Sequence, residues 1–110
     1  MRQIAVVYPI VLDDGGDIAT FASPSELLLG IEGIDVRDNV YDAWDSSGRV
    51  LRLNVIPGGV GAEPTQVEDR EGLLCRLLDF IERVDDSRLR ADPDAELQEM
   101  VRVLDAFLRE

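Results

Sequence analysis

Apolar and polar residues follow two different rhythms along this chain. From Gln3 to Leu12 the spacing is that of a strand, with Ile4, Val6, Tyr8, Ile10 and Leu12 on one side and Ala5, Val7, Pro9 and Val11 on the other. Apolar residues on both sides predict a strand covered on both faces, whereas Pro9, which removes one ladder donor, pulls toward an edge or a bulge. Asp13-Asp14-Gly15-Gly16-Asp17 predicts a turn, and Ile18 to Ala22 a second strand returning along the first. Ser23, Pro24 and Glu26 combine a capping hydroxyl, a proline at the first helical position and a glutamate three residues after the cap. That pattern predicts a short helix through Leu27, Leu28 and Leu29, ended by Gly30 and Gly33.

The strand rhythm resumes further on. Ile34 to Val36 reads as a short extended piece, Asp38-Asn39 as a turn, and Val40 to Asp45 as a strand with Tyr41 and Ala43 opposite Val40, Asp42 and Trp44. Asp45-Ser46-Ser47-Gly48 closes a hairpin whose return strand, Arg49 to Val55, turns Leu51, Leu53 and Val55 inward. Ile56 to Pro64 is rich in glycine and proline without a period, which predicts a loop. Thr65 and Glu68 then suggest a capping box. Leu74, Leu77, Leu78, Ile81 and Val84 recur at helical spacing, widened by Leu73 and Phe80. A polar connector from Val84 to Ala91 leads to Asp92-Pro93, which opens a last helix with Leu97, Met100, Val101, Leu104, Phe107 and Leu108 on one face and Glu96, Glu99, Arg102 and Arg109 on another. The expected architecture is α+β in the order ββαββαα. It has an antiparallel sheet of about four strands, with two C-terminal helices on one face. One domain spans residues 1–110, mainly β to residue 55 and helical from 65 to 109.

Composition narrows the chemistry. Among 110 residues there is no histidine, and all eleven basic residues are arginine. Without His or Lys the chain lacks a Ser-His, Cys-His or Ser-Lys couple, a Schiff base and a Walker lysine, so a protein without catalytic activity or cofactor is expected. A single cysteine, Cys75, excludes an internal disulfide and a multi-cysteine zinc site, and reads as a small buried hydrophobe. The N-terminal segment lacks the layout of a signal peptide and no apolar run is long enough to span a bilayer, which places the expected location in the cytoplasm. Twenty-three acids give a net charge of −12. A nucleic acid or anionic membrane is repelled by such a surface, and a basic protein is steered toward it.

Two acidic series are the candidate sites. Asp13, Asp14 and Asp17 crowd a glycine-containing turn, but their spacing is not that of an EF-hand loop, so no metal is assigned to them. Asp35, Asp38, Asp42 and Asp45 run beside Tyr41 and Trp44. Acids beside aromatics suit a protein-binding surface, with aromatics as anchors and carboxylates selecting a basic partner; equally, Tyr41 or Trp44 belongs to the core. Gly58-Gly59-Val60-Gly61 has no P-loop lysine and reads as a flexible loop.

The stretches YPIVLDDGGDIATFASPSELL and IEGIDVRDNVYDAWDSSGRVLRLNV resemble, over about residues 8–55, small bacterial immunity proteins associated with polymorphic or secreted toxins. The resemblance rests on Tyr8-Pro9, Gly16-Asp17-Ile18, Ser23 with Glu26, Ile34-Asp35-Val36, and Tyr41, Asp45 and Gly48. It implies a cytoplasmic protein that binds a cognate toxin and occludes the toxin's active site, and the acidity of the chain suits a basic toxin, such as a nuclease. Two other readings stay open: an acidic adaptor, as a monomer or a homodimer formed through its helical face, and a small carboxylate- or metal-dependent enzyme.

Overall fold

A computed structural model describes residues 5–30, 41–90 and 96–109. Five strands form one antiparallel sheet: β1 (Ile10–Asp14), β2 (Asp17–Phe21), β3 (Asp42–Trp44), β4 (Arg49–Ile56) and β5 (Gly59–Glu68), in the spatial order β2-β1-β3-β4-β5. Among the described residues three helices accompany them: α1 (Pro24–Gly30), α2 (Arg70–Val84) and α3 (Leu97–Leu108). The α+β architecture with two C-terminal helices is as expected, with one strand more.

Alternation along β1 explains why both of its faces are apolar. Val11 joins Ile18, Trp44 and the inner faces of α2 and α3, while Ile10 and Leu12 join Leu27 of α1, Ala43, Leu51 and Val60. The sheet is therefore a middle layer, with the two long helices over one face and α1 over the other. Leu73, Leu77, Val101 and Leu104 are wholly buried. Each such side chain contributes roughly 1.5–3 kcal/mol through burial, so the helix stripes are core.

Several expected boundaries move. The first strand begins only at Ile10, directly after Pro9, whose peptide bond with Tyr8 is cis; a proline has no N–H to give a ladder. The first turn is confined to Gly15 and Gly16, at φ 61° and 112°. Asp13 and Asp14 lie in β1 and Asp17 in β2. Of the expected Val40–Asp45 strand, the described residues 41–45 contribute only Asp42–Trp44 to β3, and Val40 lies outside the described residues. Ser23 Oγ accepts from the Glu26 amide at 3.3 Å, but the Glu26 carboxylate reaches back to the Ala22 amide at 2.5 Å, one residue before the capping serine.

The expected loop over Ile56 to Pro64 is instead the turn and first half of a long hairpin. Pro57 and Gly58 make the turn, and β5 pairs with β4 from Val55↔Val60 through Leu53↔Ala62 and Leu51↔Pro64 to Arg49↔Glu68, with a bulge between Arg49 and Leu51. Thr65 and Glu68 cap nothing: Thr65 Oγ1 donates to the Val50 carbonyl at 2.7 Å, and Glu68 pairs with Arg49 at 3.0 Å. The cap of α2 is Asp69, whose side chain accepts from the Gly72 amide at 3.0 Å. Val55, expected inward, is exposed near the end of β4, and Cys75 is exposed rather than buried. The readings placed on Ile34–Val36, Asp38-Asn39 and Asp92-Pro93 lie outside the described residues.

Candidate partner-recognition surface

The acidic residues divide by burial. Asp13 is 3% exposed: its carboxylate accepts from the Gly16 amide at 2.7 Å and is ion-paired to Arg76 of α2. Asp45 is fully buried and accepts from the amides of Val7 at 3.1 Å, Ser47 at 3.0 Å and Arg49 at 3.1 Å, and from the Ser47 hydroxyl at 2.6 Å. It organises the β3–β4 turn and ties residue 7 to it. Trp44 is 4% exposed, within the α2–α3 core. Asp13, Trp44 and Asp45 are thus the buried members of the expected contact set. Asp14, Asp17 and Asp42 are exposed, and Tyr41 is half-buried against the opposite core cluster. Asp35 and Asp38 lie outside the described residues.

Arg76, absent from the expected site, connects much of this region. Its guanidinium pairs with Asp13, stands 3.4 Å from Asp42, and lies over the Trp44 ring at 5.5 Å from the centroid. The hydrogen bond to Asp13 raises the Arg76 pKa further above its already high value. The signal for it in the sequence was its place beside Leu73 and Leu77, at the border of the apolar stripe, where a long side chain can lie along the sheet.

The other arginines of α2 do likewise. Arg70 donates to the Ser47 carbonyl at 3.2 Å and Arg83 to the Gly16 carbonyl at 2.9 Å. All three arginines of the helix are thus turned to the sheet, Arg76 to its strands and Arg70 and Arg83 to turns at its opposite ends. Glu71, Asp79 and Glu82 remain on its exposed side, and none of these three makes an ion pair among the described residues. Asp14 and Asp17, also exposed, flank the turn that Arg83 grips.

Between α2 and the β3–β4–β5 face lies a cleft of about 370 Å³, lined by Tyr41, Asp42, Trp44, Arg52, Thr65, Asp69 and Arg76 among others. Its two arginines are engaged: Arg76 with Asp13, and Arg52 with Glu63 at 2.8 Å. Asp69 uses one oxygen for the helix cap, and Asp42 has only the 3.4 Å contact with Arg76. The Trp44 indole N–H is buried without an acceptor. Among the described residues, no three His, Cys, Asp or Glu side chains gather closely enough to hold a metal ion, and no helix is long and apolar enough to cross a membrane.

On the far side of the molecule Arg109, just beyond α3, forms a two-pronged ion pair with Glu26 of α1 at 2.8 and 2.6 Å and also reaches Asp105 at 3.1 Å. The Arg109 contact, helped by the Ala22 amide, pulls the Glu26 carboxyl down to about 2 and drives the Arg109 pKa upward.

Comparison of the chain with protein-family models, curated proteins and solved structures finds no match.

Proposed function

We propose that this chain is a non-catalytic immunity protein, which captures a basic toxin domain and neutralises it by covering its active site. The observation that carries the reading is the sorting of charge on α2: its arginines are spent on the sheet, and Glu71, Asp79 and Glu82 face outward uncompensated. A surface of one sign, held on a helix fixed at three points, steers and orients an incoming basic protein. The missing histidine and lysine cost an inhibitor nothing, since binding needs no proton transfer. The sequence resemblance over residues 8–55 points the same way.

Co-expression with the protein encoded immediately upstream is the test, scored by growth rescue and by co-purification. Rescue together with a stable complex is expected, and the triple reversal E71R/D79R/E82R should slow association by about tenfold at low salt. An upstream product that is harmless and forms no complex would overturn the reading. It would favour the acidic adaptor, which is recognised by a concentration-dependent dimer that survives high salt.

A further inference from the structure

Trp44 is an unusual core residue. The ring is buried and packed on α2, yet its one polar atom has no acceptor, and a donor buried unpaired is destabilising. A phenylalanine would fill an apolar slot without that cost. The same residue helps line the cleft beside α2, which is roomy enough for a side chain and the carbonyl it hangs from. Around Trp44 the unspent capacity is of one kind. Arg52 and Arg76 are paired, whereas the Asp42 carboxylate is exposed and Asp69 keeps one oxygen free of the helix cap.

We infer that this cleft is the specificity pocket of the capture surface, and that its occupant is an extended segment of the basic partner. A main-chain carbonyl of that segment accepts from the Trp44 indole N–H, and an arginine side chain lies between Asp42 and Asp69. The inference rests on the proposed reading for the partner's identity, but not for the pocket's chemistry. Arginine suits the site because its planar fork can bridge two carboxylates. Lysine, a single point charge, bridges less well. The exposed acids of α2 would then bring the partner in, and the cleft would select which loop docks.

Trp44 is the chain's sole tryptophan, so its indole gives one resonance in an ¹⁵N–¹H spectrum and all of the tryptophan emission. The probe is the peptide acetyl-Ala-Arg-Ala-Arg-Ala-amide, titrated into the full chain at low salt, with its glutamate counterpart as the comparison. A saturable downfield shift of the indole proton with the arginine peptide and none with the glutamate peptide is expected. Asp69→Asn, which keeps a good helix cap while removing charge, and Asp42→Asn should each weaken binding severalfold. Trp44→Phe, followed by calorimetry, should weaken it about tenfold. Binding that leaves the indole resonance in place, or no saturable binding up to millimolar peptide, would overturn the pocket. Growth rescue that survives Trp44→Phe and Asp69→Asn undiminished would remove the cleft from recognition while leaving the immunity reading standing.

Discussion

Individual carboxylates in this protein have opposite fates, and the difference lies in what surrounds each one. Asp45 has four donors converging on it, so Asp45→Ala should leave several buried N–H and O–H groups unsatisfied and cost about 3 kcal/mol. The shift in the urea midpoint measures this, and an effect near zero would show that the turn holds itself. Arg76→Ala strips the counter-charge from Asp13, which is buried while the arginine is partly exposed, so a loss of about 2 kcal/mol is expected, below that of a fully buried pair. The informative result is the sign of the second step: adding Asp13→Asn to Arg76→Ala should restore stability, because it removes an orphaned charge. Neither role was readable from spacing. A buried aspartate serving as a turn organiser and an exposed one look alike in a string of letters: Asp13 and Asp14 differ only in the face of β1 on which they fall, and Asp42, directly across from Asp13 on the same face, is nonetheless exposed.

At the scale of elements, the sequence spoke clearly where one rhythm ran long and poorly where glycine and proline interrupted it. The stripes of α2 and α3 located most of their buried faces, Val84 at the end of α2 being exposed, since a 3.6-residue period over several turns has few rivals. Turn composition likewise located the tight Gly15-Gly16 and Ser46-Ser47-Gly48 bends. Strand β5 was hidden because Pro57, Gly58, Gly59, Gly61 and Pro64 dilute an alternation that only Val60 and Ala62 carry. The Thr65/Glu68 pattern fits both a cap and a strand end, and only pairing with β4 separates them. The exposure of Cys75, at the margin of the α2 stripe, turned on a fraction of a helical turn. Within that hairpin Gly59 is needed for space: at φ 156°, a Cβ there would fall 1.8 Å from the Leu28 carbonyl oxygen of α1. Gly59→Ala should therefore push α1 off the sheet and cost more than about 2 kcal/mol, whereas Gly15→Ala, at φ 61° in open space, should cost about 1 kcal/mol from backbone conformation alone. Equal melting temperatures for the two variants would contradict the close approach.

Across the whole molecule, charge is both a binding resource and a stability term. Glu26 titrates near 2 in the folded chain against an ordinary value of 4.5, so its pairing with Arg109 stabilises the fold above about pH 4.5 and is lost as pH falls toward 2. Wild type and Glu26→Gln should accordingly differ in melting temperature at neutral pH and converge across that interval; a constant gap would mean that the pair carries no linked proton. The topology has a different kind of consequence. Every strand neighbour in the sheet is also a neighbour in sequence except β1 and β3, which meet through Val11↔Trp44, Leu12↔Ala43 and Asp13↔Asp42, about thirty residues apart. The sheet is thus a hairpin and a three-stranded meander, each able to form from local contacts and paired along one seam. Closing the chain to that distance is the costly entropic step. The seam runs directly beneath Arg76, which touches Asp13 on one side and Asp42 on the other. The arginine that walls the cleft therefore also rivets the hairpin to the meander, so that a partner filling the cleft would bear on the joint between the two pieces of the sheet.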